Sequence, residues 1–200
     1  SGAQYGTISP GFPKHQYPAG ETVERVRQYL SLVGASGLVV AVDQWSKYLI
    51  RLRLVPGEQW APWDWLQPYA RLIHSSNTGA AFGIFPDGGL IFTVIAILVS
   101  GAILYYFPRV PMGQWHVRLA LALQLGGAVG NLIDRLLQAG RVTDFISLGG
   151  FPVFNLADAS ISVGVAILVV TMILEERRGK RAGAELEGEV AASEPEHSPS

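Results

Sequence analysis

The chain has 200 residues, a formal net charge of -1 and no cysteine. Its residues are 49% hydrophobic and only 16% charged, and the mean hydropathy is +0.28, which is typical of a membrane protein. The small net charge provides no basic surface of the kind that nucleic acid needs, so we expect no nucleic-acid partner. The absence of cysteine excludes disulfides, thiolate metal sites and a cysteine nucleophile.

The first 26 residues are predicted to be a flexible N-terminal extension. Residues 1–20 are rich in Gly, Pro and Tyr. They contain no apolar core and no small-residue cleavage pattern, so we do not expect them to be a secretory signal peptide.

Long apolar segments predict an all-α membrane protein with four transmembrane helices in a domain at 27–176. A bilayer core about 30 Å thick needs roughly 20 helical residues. The segment 88–107 has this length without a charged residue, and three further segments have it with polar interruptions. The predicted spans are 27–50, 88–107, 114–137 and 155–174.

The positions of Lys and Arg predict that both termini are cytoplasmic. Basic residues precede the first span, lie between the second and third, and follow the fourth. The two connections on the opposite side, 51–87 and 138–154, are then extracytoplasmic. The first is long and rich in Trp, so we expect an interfacial aromatic belt and a small β-containing region between helices 1 and 2.

Charged residues inside a span need a partner or a function, since each costs roughly 2.5 to 3.5 kcal/mol at the centre of a span. Asp43 and Lys47 stand four residues apart, which places them on one helical face as an ion pair. We expect this pair to brace the structure rather than to carry chemistry.

The third span ends in GGAVGNLIDR, which combines small and polar residues. The GxxxG spacing of Gly126 and Gly130 predicts close helix packing. Asn131 and Arg135 share a face of the helix and could grip backbone carbonyls or a lipid ester. Asp134 is interpreted as part of an interfacial salt network.

The segment RVTDFISLGGFPVFNLADASI places two aspartates on either side of a glycine pair. Gly149 and Gly150 permit a tight reversal that can return the chain so that Asp144 and Asp158 converge. Asp158 lies in the first turn of the fourth span, where a carboxylate also suits the helix dipole. Asn155 lies three residues earlier.

Two converging carboxyls indicate aspartic-protease chemistry. They cannot readily both ionise, so one proton is shared and one pKa is raised. The ionised member then takes a proton from water while the protonated member binds the substrate carbonyl. We expect no metal and no cofactor, because the four His residues are scattered and show no HExxH spacing.

The last segment, 177–200, is basic at its start and acidic after it. Four basic residues lie within 177–181, and five Glu but no Lys, Arg or aromatic residue follow. Such a composition predicts a disordered tail.

Five motifs resemble those of lipoprotein signal peptidase, also called signal peptidase II. They occur in the order DQWSK, NTGAAFGIF, GGAVGNLIDR, VTDF and FNLADASI, between about residues 29 and 174. The resemblance implies a bacterial cytoplasmic-membrane aspartyl endopeptidase that cuts prolipoproteins before a cysteine already carrying diacylglycerol. The implied partners are this lipidated signal peptide and membrane lipids.

The resemblance also assigns roles to residues. Asp144 and Asp158 are the implied catalytic pair at the extracytoplasmic face. The implied substrate-binding residues are Asn77, Gly79, Asn131, Arg135 and Asn155, with Asp43, Lys47 and Asp134 in support. Thr143 stands where we expect an apolar residue, and we interpret it as a tolerated neighbour.

Two other functions fit a membrane protein with carboxylates in its spans. A small transporter would string them across the membrane as an ion relay. A structural subunit would use them to bind a partner. The polar residues gather at one predicted side, which favours the peptidase.

Overall fold

The computed structural model describes residues 19–77 and 89–193, with side chains described for 23–77 and 89–181. These residues form four α-helices and one small sheet. The helices are α1 Ala19–Arg53, α2 Gly89–Tyr106, α3 Trp115–Leu137 and α4 Leu156–Ser193, and the strands are β1 Gln59–Trp60, β2 Ala70–Asn77 and β3 Val142–Leu148. A 3₁₀ turn, Phe107–Arg109, follows α2.

Helix α3 is central, since it packs against each of the other three helices. Its glycines allow this approach. A Cβ at Gly126 would lie 2.6 Å from the Cβ of Val39 on α1, and a Cβ at Gly130 would lie 2.7 Å from Oδ2 of Asp43. The packing role that the GxxxG spacing predicts therefore fits the contact between α1 and α3.

Apolar side chains fill the space between the helices around the N-terminal half of α3. A buried cluster joins α1, α3 and the end of α2, and its members are Leu32, Ile103, Phe107, Ala122 and Leu125. The small sheet lies at the opposite end of the bundle, beyond the C-terminal ends of α1 and α3.

The sheet is antiparallel in the order β1-β2-β3. Its third strand comes from the connection between α3 and α4, so the predicted β region between helices 1 and 2 is incomplete. Residues 142–145 of β3 are all buried. Burial against the helix ends stabilises this strand, and the sequence pattern of the first connection alone could not indicate it.

Chain reversal after β3 occurs at the predicted glycines. Gly149 has φ +52°, a left-handed conformation that favours glycine. Phe154 then pairs with Ile146 as an antiparallel bridge. The start of α4 is thereby returned to the side of β3.

Two helical stretches of the described chain are long and apolar enough to cross a membrane, Gly89–Arg109 and Leu156–Arg181. Helices α1 and α3 have the length but carry several charged residues. The structure thus establishes a mostly helical protein with two membrane-capable helices.

Both ends of the helical region differ from the predicted boundaries. Helix α1 already begins at Ala19, inside the predicted extension, and α4 continues to Ser193, through most of the predicted tail. Ala, Glu and Arg are strong helix formers, and Lys180 pairs with Glu176 one turn earlier at 2.7 Å. Residues 1–18 and 194–200 lie outside the described chain.

Replacing Gly126 by Ala is expected to destabilise the bundle by about 1 to 3 kcal/mol, because overpacking forces the helices apart. Gly101→Ala on α2 is the matched control, since nothing lies within 4 Å of a Cβ built there. Thermal unfolding in detergent should show a lower Tm for the first variant and not for the second. Equal Tm values would contradict the close packing of α1 on α3.

Candidate active site

A buried set of charged groups joins α1 to α3. Lys47 Nζ lies 2.9 Å from Asp43 Oδ2 and 3.3 Å from Asp134 Oδ2, and it donates to Asn131 Oδ1 at 3.0 Å. The side chains of Lys47 and Asp43 are fully buried, and that of Asp134 is 1% exposed. We call Asp43, Lys47, Asp134 and Asn131 the charged cluster.

The charged cluster also holds the start of α4. The backbone N–H of Ala157 donates to Asp43 Oδ1 at 2.9 Å. A carboxylate is favourable at a helix N-terminus, where free N–H groups point outward. Asp43 therefore ties α4 to α1, in addition to its predicted pairing with Lys47.

Asn155 and Asp158 cap the start of α4 reciprocally. The Asp158 N–H donates to Asn155 Oδ1 at 2.9 Å, and the Asn155 N–H donates to Asp158 Oδ2 at 3.3 Å. This is the geometry of a capping box. Asp158 is thus a helix-start carboxylate, and its second oxygen accepts from Asn131 Nδ2 at 2.7 Å.

Asp144 reaches the same place from β3. Asn155 Nδ2 donates to Asp144 Oδ1 at 2.7 Å, and Asn77 Nδ2 donates to Asp144 Oδ2 at 3.0 Å. Asn77 pairs with Val142 in the sheet, and residues two apart on a strand share a face. The register therefore puts the Asn77 amide beside the Asp144 carboxyl.

Both carboxyls line one cavity of about 740 Å³, which we call the carboxyl cavity. Its polar lining comes from Asn77, Gln124, Asn131, Arg135, Asp144, Asp158 and Ser162. Most of the rest is apolar and comes from α2, α4 and the β3 reversal, including Phe92, Ile95, Val99, Ile161 and Val163. The cavity therefore combines a polar end with a long apolar wall.

Burial, and after it the negative charge of Asp158, raises the pKa of Asp144 to about 6. The amide donors of Asn77 and Asn155 act in the opposite direction, because they stabilise the ionised form. At pH values around 6 the Asp144 carboxyl is therefore present in both its protonated and its ionised form.

The structure brings most of the predicted site residues together. Asn77, Asn131, Arg135 and Asn155 lie at or beside the carboxyls, and Gly79 lies outside the described chain. Asp134 lies behind the cavity, in the charged cluster, where its Oδ2 accepts from the Thr143 N–H at 3.0 Å. Arg135 lines the cavity, with its guanidinium 5.6 Å from the centre of the Phe92 ring.

Gln44, Arg51 and Thr143 also belong to this region and were not predicted as site residues. Gln44 donates to Asp43, to the Gly130 carbonyl and to Asp134. Arg51 lies 3.6 Å from Asp134 Oδ1 and donates to the Thr143 hydroxyl at 3.0 Å. The spacing of Asp43, Lys47 and Arg51, four residues apart each time, is a helical-face signal that could have indicated Arg51.

Metal ligands do not gather in the described part of the chain. Within residues 19–77 and 89–193, no group of three or more His, Cys, Asp or Glu side chains is close enough to hold a metal ion. The polar lining of the carboxyl cavity provides carboxyls, amides, one guanidinium and one hydroxyl.

The fold and the cavity define a mostly helical protein with two membrane-capable helices and a cavity that two aspartates line. A family model described as signal peptidase (SPase) II matches residues 35–174. The chain belongs to the signal peptidase II family.

Several bacterial lipoprotein signal peptidases are similar to the chain. A lipoprotein signal peptidase of Moorella thermoacetica is 43% identical over 68% of this chain and 89% of its own length. One of Desulfitobacterium hafniense is 40% identical over 72% of this chain and 94% of its own length. One of Xanthomonas oryzae pv. oryzae is 39% identical over 74% of this chain and 90% of its own length.

Two solved structures, each described as a bacterial membrane enzyme, have a similar fold. The first has a TM-score of 0.67 and 29% identity and covers 73% of this chain and 89% of its own. The second has a TM-score of 0.63 and 30% identity and covers 71% of this chain and 92% of its own.

Removing the Lys47 ammonium is expected to destabilise the protein strongly. Lys47→Met leaves Asp43 and Asp134 as buried carboxylates without their shared cation, and breaking a buried ion pair in this way costs about 3 to 5 kcal/mol. The measurement is thermal unfolding in detergent.

Lys180→Met is the matched control, because Lys180 forms its ion pair on the surface, where such pairs contribute little. A Lys47→Met protein that unfolds at the same temperature as the control would contradict the proposed importance of the charged cluster.

Proposed function

We propose that the chain hydrolyses the peptide bond before the diacylglyceryl cysteine of prolipoproteins, with Asp144 and Asp158 as the catalytic pair. The observation that carries the assignment is the placement of these two carboxyls in one cavity, where Asn155 contacts both. Its side-chain amide donates to the Asp144 carboxyl, and its backbone N–H donates to the Asp158 carboxyl. Membership in the signal peptidase II family supports the cleavage of a lipoprotein signal peptide.

In the proposed reaction, a water molecule lies between the two carboxyls. The ionised carboxyl takes a proton from the water as its oxygen attacks the scissile carbonyl carbon. The protonated carboxyl donates to the carbonyl oxygen. When the C–N bond breaks, the amine leaves with a proton from the pair, so the pair begins and ends the cycle with one proton.

Neighbouring amides and Arg135 are proposed to hold the substrate and the pair in position. Asn131 and Asn155 are themselves held by bonds to Lys47 and to Asp158, so their amides are oriented before substrate arrives. Such preorganised dipoles cost little reorganisation during the reaction. The Arg135 guanidinium can donate to carbonyl oxygens of the substrate on the same wall.

The apolar wall of the carboxyl cavity supports the proposal that the substrate carries a lipid. Phe92, Ile95 and Val99 of α2 and Val163 of α4 extend the lining away from the carboxyls. Acyl chains and an apolar signal-peptide helix can contact these side chains, while the scissile amide stays at the polar end.

We further propose that all four helices cross the membrane. The charges of α1 and α3 lower the hydropathy of these helices, but the charges of Asp43, Lys47 and Asp134 are buried and paired inside the protein. Lipid would therefore not contact them, which removes the usual cost of a charge in a span. The exposed aromatics Trp60, Trp63, Trp65 and Tyr69 lie near the sheet, at the level expected for a membrane interface.

The proposed orientation places both termini in the cytoplasm and the carboxyl cavity at the extracytoplasmic face. Support comes from the basic residues after the fourth span and from the position of the sheet at the opposite end of the bundle. Transporter and structural-subunit alternatives are not favoured, because the family is one of peptidases.

Cleavage by variants tests the catalytic pair. Asp144→Asn and Asp158→Asn are each expected to lower kcat for a diacylglyceryl prolipoprotein by about 100- to 10,000-fold, the range for losing a general acid or base. The measurement is cleavage by purified protein that unfolds normally in detergent. A precursor without the diacylglyceryl group should remain uncut.

Asp64→Asn is the control, since Asp64 is exposed in the connection between α1 and α2. Its activity should equal that of the wild type. Near-normal cleavage by either folded variant of the pair would contradict the assignment of that aspartate.

Orientation can be tested with single cysteines, since the chain has none of its own. We expect Gln67→Cys to react with a membrane-impermeant maleimide in intact cells, because this exposed position precedes β2. Gly179→Cys should react only after the membrane is permeabilised. The opposite labelling pattern would overturn the proposed orientation.

A further inference from the structure

Thr143 is a buried polar residue directly before Asp144, and its side chain is 2% exposed. Successive residues of a strand point to opposite faces. Val142 and Asp144 line the carboxyl cavity and Thr143 does not. The Thr143 hydroxyl therefore lies behind the strand, on the side of the helix ends.

Three side chains converge on Thr143 there, one from α1, one from α3 and one from Gln138, directly after α3. Arg51 Nη1 of α1 donates to the Thr143 hydroxyl oxygen at 3.0 Å, and the hydroxyl donates to Gln138 Oε1 at 3.3 Å. The Thr143 backbone N–H donates to Asp134 Oδ2 at 3.0 Å. Both polar groups of Thr143 that face the helices are thus held.

The amides of Asn77 and Asn155 hold the Asp144 carboxyl, whereas strand pairing acts on the Asp144 backbone. Hydrogen bonds to β2 act within the plane of the sheet, and the pairing is irregular between Leu72 and Ser75, next to the partner of Asp144. The out-of-plane position of a strand depends on what packs behind it. Behind Asp144, the contacts of Thr143 supply this support.

Arg51 links this support to the charged cluster. Its guanidinium lies 3.6 Å from Asp134 Oδ1, and Asp134 in turn contacts Lys47. The Arg51 side chain is 32% exposed, so water screens its ion pair with Asp134. The directed hydrogen bond to Thr143 is then the contact through which Arg51 acts most strongly on β3.

We propose that Arg51 and Thr143 are positioning residues, which hold Asp144 at the separation from Asp158 that hydrolysis requires. This inference rests on the proposed function. Neither residue contacts the carboxyls, so both act through the position of β3. The hydroxyl of Thr143 is then functional, in contrast to the interpretation of Thr143 as a tolerated neighbour.

The test compares Thr143→Val with Thr143→Ser. Val keeps the branched shape and removes the hydroxyl, whereas Ser keeps the hydroxyl. We expect Thr143→Val to lower kcat about 10-fold with KM within about 2-fold, since a small misplacement of a catalytic group acts on the transition state. Thr143→Ser should keep kcat within about 2-fold of the wild type, because its hydroxyl can still form the hydrogen bonds to Arg51 and Gln138.

Arg51→Met and Arg53→Met form a second matched pair. Arg53 ends the same helix, but its side chain is exposed. Arg51→Met should lower kcat like Thr143→Val, Arg51→Lys should recover part of it, and Arg53→Met should have no effect. The double variant Arg51→Met/Thr143→Val should be no slower than the slower single variant. Each single substitution already removes the same Arg51–Thr143 hydrogen bond, so the second one has nothing further to remove there.

Binding of an uncleavable diacylglyceryl lipopeptide gives the fraction of folded sites, to which each kcat is normalised. The inference would be overturned if Thr143→Val and Arg51→Met had the same kcat as the wild type. It would also be overturned if their lower kcat values rose to the wild-type value after normalisation to the fraction of folded sites. Folded wild type that does not cleave the lipidated precursor would overturn the proposed function, and this inference with it. If the wild type cleaves the lipidated precursor and the variants cleave it equally fast, the inference is overturned and the proposed function stands.

Discussion

The Lys47 ammonium lies inside the helix bundle, where it contacts oxygens of Asp43, Asp134 and Asn131. An unpaired charge at this depth would be very unfavourable, so the ammonium requires the two carboxylates as much as they require it. Each of these partners makes a second contact elsewhere. Asp43 binds the start of α4, Asp134 binds the backbone of β3, and Asn131 binds Asp158.

These second contacts explain how separate parts of the chain meet at one site. The strand that carries Asp144 and the helix that carries Asp158 are both attached to the same charged cluster. Asp144 and Asp158 are therefore held close together although like charges repel. The cluster contributes the rigid frame, and the side chains of Asn77, Asn131 and Asn155 complete it by donating to the carboxyls.

The placement of the buried Asp144 and the half-buried Asp158 in one cavity also decides the chemistry of the cavity. Burial and the neighbouring charge raise the pKa of Asp144 to about 6, so the pair can keep a proton where an ordinary exposed Asp would have lost it. An acid and a base are then present together, as amide hydrolysis requires. The apolar wall beside them is suited to a substrate that carries both a lipid and a membrane helix.

Much of this arrangement could be predicted because it depends on local spacing. The i, i+4 step of Asp43 and Lys47 indicates an ion pair, and the glycines at 149 and 150 indicate the reversal that brings Asp158 towards Asp144. Spans α2 and α4 follow from apolar length. These signals lie within one helix or one turn, so a single sequence contains them.

What could not be predicted depends on contacts between distant segments. Strand β3 forms because β2 and the helix ends cover it, and its own residues do not indicate which partner they pair with. The position of Thr143 behind the strand requires the register of that pairing. Arg51 becomes part of the site only when α1 and α3 place it beside Asp134. Helix ends at 19 and 193 were missed because charged helix formers resemble a flexible tail in composition.

The most direct measurement of the central claim is a pH titration of the carboxyls by infrared difference spectroscopy, with wild type and Asp158→Asn compared. The account predicts a carboxylic-acid band in the wild type that disappears with a midpoint near pH 6, at the raised pKa of Asp144. In Asp158→Asn this midpoint should move to lower pH, since the repelling charge is gone. A wild-type spectrum in which every aspartate ionises at its ordinary pKa, unchanged in the variant, would contradict the claim that the two carboxyls form a coupled pair.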